Sequence, residues 1–263
     1  MDGTVEVLKD GPVRLESLEN GAIWRAILAT PKANILDMEK CEILSGIFSE
    51  AADAGDLKAV VIEGEGPHFS FGASVQEHLP DQIEAMLQGF HQLFHRMLDA
   101  RVVTLAAVRG QCLGGAMELA IFCHRLFATP DAWLGQPEIV LGVYAPVASV
   151  MLADRVGRSR AEDLLLSGRS VKASDGLSIG LVDELAHDPS AAALDYAREH
   201  LLPKSASSLR FAVQAARGGF DERIRRELAE VERLFLEELI RTADAQEGLG
   251  AFLEKREPKW RNE

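Results

Sequence analysis

Cysteine is scarce in this chain of 263 residues: Cys41, Cys112 and Cys123 are the three, none belongs to a CxxC pair, and all lie in apolar surroundings. A disulfide framework is thereby excluded, leaving small buried thiols that suit a reducing cytoplasm. Positive charge is also in short supply, with 28 Lys and Arg against 41 Asp and Glu and a formal net charge of −13. Such a balance argues against nucleic acid or an anionic membrane as partner, and an anionic ligand would need a local basic pocket. No uninterrupted apolar run approaches ~18 residues, so no membrane span is expected. The start, Met1-Asp2-Gly3-Thr4-Val5-Glu6, has neither the basic nor the apolar region of a signal peptide. Several catalytic signatures are missing as well. The glycine-rich loop over 64–74 has neither GxGxxG spacing nor a Walker lysine, and Phe71-Gly72-Ala73-Ser74-Val75 does not match GxSxG. His91 and His95 are four apart on a predicted helix but lack the HExxH arrangement, so no metal is implied.

What remains is ample apolar material, 47% of the chain, enough for a sizeable core. Short strand-like segments fill residues 4–30, with Glu19-Asn20-Gly21 as the strongest hairpin signal. Cys41, Leu44, Ile47, Phe48 and Ala51 recur at helical spacing and predict a helix over 38–54, stopped by Gly55. A buried strand at 58–63, an amphipathic helix at 80–99 and a strand at 102–108 follow. Further on the pattern gives a strand at 125–129, a glycine-proline turn at 134–138, helices at 146–156 and 159–167, and a short strand at 181–184. Helices over 190–202, 206–217, 221–242 and 244–255 complete the chain. Alternating strands and helices followed by a helical tail predict an α/β fold, divided into a core over 1–188 and a helical subdomain over 189–263.

The stretch Cys112-Leu113-Gly114-Gly115-Ala116-Met117-Glu118-Leu119-Ala120 carries the chemistry. It leaves a strand, turns through glycines and opens a helix, which brings free N–H groups and a positive dipole end to one place. That arrangement suits a developing negative oxygen. Glu118 in a first helical turn often does no more than complement the dipole, and Glu138 after Pro137 is a common helix opening. Both, however, follow glycine-containing turns at strand ends, where paired carboxylates can divide acid and base roles.

The runs Phe69-Ser70-Phe71-Gly72-Ala73-Ser74, Val108 through Ala120 and Gly135-Gln136-Pro137-Glu138-Ile139-Val140-Leu141-Gly142 resemble the enoyl-CoA hydratase/isomerase, or crotonase, superfamily. So do Gly157-Arg158-Ser159-Arg160-Ala161, Leu166-Ser167-Gly168-Arg169, Gly180-Leu181-Val182-Asp183-Glu184 and the ending Gly250-Ala251-Phe252-Leu253-Glu254-Lys255-Arg256. The resemblance spans nearly the whole chain in order. It implies a ββα spiral core, a C-terminal helical region used in trimerisation, a homotrimer or homohexamer in the cytoplasm, and an acyl-CoA thioester as substrate with no further cofactor. Ala73 and Gly115 match the residues whose backbone N–H groups bind the thioester oxygen. Glu118 and Glu138 match the two hydratase glutamates, and retention of both favours water addition over isomerisation or mere acyl-CoA binding.

Two departures stand out. Ser74 replaces the family's usual Asp, and Val143-Tyr144-Ala145-Pro146-Val147-Ala148-Ser149 replaces its Pro-Gly and small-residue run beside the acyl pocket. In these runs the chain resembles the branch that hydrates cyclohexa-1,5-diene-1-carboxyl-CoA to 6-hydroxycyclohex-1-ene-1-carboxyl-CoA in anaerobic benzoyl-CoA degradation; a general enoyl-CoA hydratase or isomerase is the alternative. Phe71, Val75, Leu79, Met86, Trp133, Leu134, Val143, Tyr144 and Val147 are candidate pocket walls, each also readable as ordinary core. Lys255 and Arg256 could meet CoA phosphates, or simply complement a helix end.

Overall fold

The computed structural model describes residues 5–79 and 82–263. Its seven-stranded sheet runs in the order β1 (Glu6–Lys9), β2 (Val13–Leu18), β3 (Ile23–Leu28), β4 (Ala59–Gly64), β5 (Val103–Val108), β7 (Arg125–Ala128) and β10 (Glu184–Leu185). The first three strands are antiparallel, and from β3 onward every pairing is parallel. Glu19 and Asn20, at φ 54° and 56°, turn β2 into β3, because a tight hairpin needs left-handed residues to match strand twist.

Each departure from the large sheet makes a short excursion into a second layer before the next helix. Leu36 lies on the excursion after β3 and leads into α1 (Met38–Asp53); Ser70 and Ala73 lie on the one after β4. After β5 comes β6 (Gln111–Leu113), then α3 (Gly115–Phe122), and after β7 comes β8 (Trp133–Gly135). Parallel bridges Leu36–Ala73 and Ser70–Cys112, and the pairing of β6 with β8, set these excursions side by side. This is the expected ββα spiral. β9 (Ser170–Lys172) closes the small sheet antiparallel to β8. Neither β8 nor β9 is visible as a strand in the sequence, since three residues are too few to show a period.

The parallel strands are covered on both faces, which explains their nearly continuous apolar runs. One core cluster includes Val60, Ile62, Ala106 and Phe94, the last from α2 (Ile83–Ala100). Residues 80 and 81, where that helix was expected to begin, lie outside the described residues. The opposite face packs Ile23, Val61, Leu105 and Phe127 against Ala193 and Leu194 of α7 (Pro189–Tyr196). Residues beyond 188 therefore share both clusters with residues before it, Ile224, Leu228 and Phe235 entering the first.

The two helices expected over 206–217 and 221–242 are one, α8 (Ala206–Glu237). Gly218 and Gly219 cost about 1 kcal/mol each in a helix interior. Packing on either side overrides that cost: Arg217 donates to the Phe122 carbonyl at 2.9 Å and Phe220 packs tilted against Phe122, ring centroids 6.0 Å apart. The remaining helices are α4 (Pro146–Val156), α5 (Arg158–Ser167), α6 (Ala173–Ser178) and α9 (Ala243–Leu253). Among the described residues no helix is long and apolar enough to cross a membrane. Cys41, Cys112 and Cys123 are all buried free thiols.

Candidate active site

Two loops carry backbone to the same place. In the first, Ser70 Oγ accepts from the Gly72 N–H at 3.0 Å, Leu36 N–H donates to the Gly72 carbonyl at 2.9 Å, and Ser74 N–H donates to Leu36 at 3.1 Å. Ala73 is thus held between pinned neighbours with its own N–H uncommitted among the described residues. Gly72 has φ 98°, and a Cβ added there would lie 2.6 Å from the Leu113 carbonyl, so the turn admits only glycine. In the second loop Gly114, at φ 53°, swings the chain into α3, leaving Gly115 as a first helical residue with no intrahelical acceptor. A Cβ on Gly115 would sit 3.4 Å from the Ala73 nitrogen, and one on Gly72 would sit 3.4 Å from the Gly115 nitrogen. The two free N–H groups therefore lie close together at the positive end of α3, an arrangement able to hold an anionic oxygen.

Glu118 projects from the first turn of α3 and is 2% exposed. Its Oε1 accepts the Ala148 N–H at 2.8 Å, and the Val147 N–H also supports it, so the carboxylate caps the opening turn of α4. Burial pushes its proton affinity up, and those two N–H groups pull it partway back. Glu138 lies on a 3-10 turn, Pro137–Leu141, after β8. The residue is partly exposed along its length, but its carboxyl group turns inward, and the carboxyl's surroundings set its proton affinity. Burial raises that affinity, and the charge of Glu118 raises it further. Buried Gln136 faces it; with the amide nitrogen toward the carboxyl, the orientation that matches donor to acceptor, it donates at 3.2 and 3.1 Å.

These groups line two adjoining chambers. The inner one, about 30 Å³, is walled by Ala73, Gly115, Glu118, Glu138, His78, Phe90 and Tyr144, with Phe235 of α8 behind them. It has room for a water, which needs roughly 10–15 Å³. The outer one, about 70 Å³, is walled by Phe71, Val75, Gly114, Glu138, Leu141 and Val143, with Leu249 of α9. Ala73, His78 and Glu138 belong to both.

Of the residues singled out from the sequence, the structure brings together Ala73, Gly115, Glu118, Glu138, Phe71, Val75, Met86, Val143 and Tyr144. Tyr144 offers only its ring, because its hydroxyl donates to the Val231 carbonyl at 2.6 Å, and burial pushes that phenol up to about 12. Four expected walls lie outside both chambers. Trp133 points out of β8 and is 37% exposed beneath Lys172, Leu134 and Val147 are fully buried core, and Leu79 reaches neither chamber. Val147 serves instead through its backbone N–H. Lys255 and Arg256 also stay outside both chambers, Arg256 pairing with Glu247 and Glu254. The sequence reading missed His78, Gln136, Phe235 and Leu249. Only Gln136 had a signal there, as the neighbour of a glutamate that needed a buried donor. Among the described residues no three His, Cys, Asp or Glu side chains are grouped to hold a metal.

A fold of this kind with converging amides and two inward carboxyls can be compared with known proteins. The chain is 53% identical to a cyclohexa-1,5-dienecarbonyl-CoA hydratase of Thauera aromatica, over 95% of this chain and 97% of that protein. It is 33% identical to a probable enoyl-CoA hydratase of Mycobacterium bovis, over 89% of this chain and 92% of that protein. A solved enoyl-CoA hydratase structure from Mycobacterium avium subsp. paratuberculosis shares its fold, with a TM-score of 0.84 at 22% identity, covering 97% of this chain and 100% of the other. The family described as enoyl-CoA hydratase/isomerase matches residues 19–263, so both loops, both glutamates and the helices that close the chambers fall within the match, and the chain belongs to that family.

Proposed function

We propose that the protein adds water to cyclohexa-1,5-diene-1-carboxyl-CoA, giving 6-hydroxycyclohex-1-ene-1-carboxyl-CoA, as a hydro-lyase of anaerobic benzoyl-CoA degradation. The observation that carries this reading is a pair of carboxyls, both with raised proton affinity, in one water-sized chamber beside two unused N–H donors. The 53% identity to a hydratase of that name supports the ring substrate.

The N–H groups of Ala73 and Gly115 draw charge onto the thioester oxygen, which makes ring carbon C2 electrophilic. Glu118, charged and held by the Ala148 N–H, takes one proton from water as its oxygen bonds to C2. The electron pair of the C1–C2 double bond moves into the thioester, and the resulting dienolate extends over C6 and C5. Glu138 has the stronger cause to hold a proton, since the charge of Glu118 opposes its ionisation. It delivers that proton to C5, leaving a C1–C6 double bond and a hydroxyl on the carbon next to C1. Water is consumed whole and the two carboxyls exchange protonation states.

Assembly as a homotrimer or homohexamer is part of the same reading, supported by Phe211, Leu234 and Phe252, which stand exposed on α8 and α9. Lys255 and Arg256 are the proposed CoA contacts in that assembly, and three buried free thiols suit the cytoplasm. The test is to incubate the protein separately with the cyclic dienoyl-CoA and with crotonyl-CoA, following products by mass and NMR. A gain of one water by the diene, with a hydroxyl on the carbon adjacent to C1, is expected. Hydration of crotonyl-CoA alone would replace this reading with a general enoyl-CoA hydratase.

A further inference from the structure

Proton delivery to C5 creates a geometric demand. A water attacking C2 is best aimed when both its hydrogens are held, and one is held by Glu118. Glu138 is committed to donating its own proton toward C5, so a further acceptor would fix the second hydrogen, and the wall shared by both chambers contains His78.

We propose that His78 is a water-positioning residue, its Nε2 accepting a hydrogen bond from the second hydrogen of the attacking water and, after reaction, from the new hydroxyl. His78 ends the short turn Val75–His78, five residues after Ala73, and its Nδ1 lies 2.8 Å from the Ser74 carbonyl. A carbonyl only accepts, so Nδ1 carries the hydrogen and a neutral ring presents Nε2 as a bare lone pair. Burial lowers the proton affinity of this ring, against a smaller opposing pull from the Ser74 carbonyl, which favours the neutral form. No protein donor reaches Nε2 among the described residues. The chamber it lines is apolar at Met86, Leu87, Phe90 and Phe235 and polar at Glu118 and Glu138. That lone pair is open to a water or substrate hydroxyl in the chamber.

This inference rests on the hydratase reading, and the experiment separates the two. His78→Leu removes the acceptor at similar bulk, whereas His78→Gln returns a side-chain oxygen near the Nε2 position. Steady-state kinetics of wild type and both variants would be measured on the cyclic dienoyl-CoA and on crotonyl-CoA, with thermal unfolding as a control. The expected result is a loss of roughly 10–100-fold in kcat for His78→Leu with KM changed less than about threefold, and recovery to within several-fold in His78→Gln. Wild-type kcat in His78→Leu would overturn the proposal, as would equal losses in both variants with unfolding unchanged. Should wild type hydrate only crotonyl-CoA, the ring substrate fails, and the same comparison on crotonyl-CoA still decides the role of His78.

Discussion

A single methyl group at Gly115 separates catalysis from folding. Gly115→Ala places a carbon 3.4 Å from the Ala73 nitrogen. An oxyanion bound there needs to sit about 2.7–3.1 Å from the same nitrogen, so the methyl is expected to crowd its approach. Losing one such donor typically removes about 2.7–4 kcal/mol of transition-state stabilisation, or roughly 10²–10³ in kcat. Folding has little to lose. Gly115 is a helical residue with ordinary φ, where alanine gains about 0.5–1 kcal/mol, offset by a 3.1 Å approach to the Phe90 ring edge. Tm is therefore expected to stay within a few degrees of wild type. Initial rates over a range of acyl-CoA concentrations, with a thermal melt on each sample, test both halves. The loss should fall on kcat more than on KM, because the interaction strengthens as charge develops. A variant with kcat/KM within about fivefold of wild type and an unchanged melt would refute the convergence of the two amides on the substrate oxygen.

Glu118→Gln and Glu138→Gln should each lower turnover by orders of magnitude while remaining folded, as circular dichroism and initial rates would establish. They should also flatten the dependence of stability on pH. Raised proton affinity in the folded state favours folding fully below the ordinary value of 4.5, and that contribution is lost as pH rises through the raised values, so wild type weakens toward alkaline pH. Melts from acid to alkaline pH should show the smaller decline in Glu138→Gln. Gly114→Ala meets both a φ of 53° and a Cβ 2.6 Å from Glu138 Oε1; a destabilisation of about 1–3 kcal/mol and a rate loss of roughly 10²-fold from the displaced carboxyl are expected, read by denaturant titration and kinetics. Arg210 donates to the carbonyls of Ala51, Ala54 and Ala100 at the ends of α1 and α2. Arg210→Ala should cost roughly 2–3 kcal/mol in denaturant titration and leave kcat unchanged.

The parts of the site that could be read from the sequence are those whose chemistry is local. Gly72 and Gly114 mark turns that expose the Ala73 and Gly115 amides, and each glutamate follows a glycine turn within a few residues. Alternation along a three-residue strand was too brief to show that Trp133 faces solvent while Leu134 faces the core. His78 was one histidine among seven until the turn after Ser74 fixed its tautomer and set it on a chamber wall. Phe235 and Leu249 lie far along the chain and arrive only because α8 and α9 fold back over the spiral, a packing event that no local pattern records. The break expected between 217 and 221 is absent for the converse reason: contacts from another helix outweigh the local cost of Gly218 and Gly219.

The bond between Glu118 and the Ala148 amide joins chemistry to architecture. The carboxylate proposed to take the proton is also the counter-charge for the opening turn of α4, whose middle is tied to α8 through Arg223 and the Val150 carbonyl. A proton arriving on Glu118 weakens the hold on that turn, and its departure restores it. The backbone at Ala148 thus becomes an indicator dye written into the main chain: its amide resonance should report the charge on a buried glutamate.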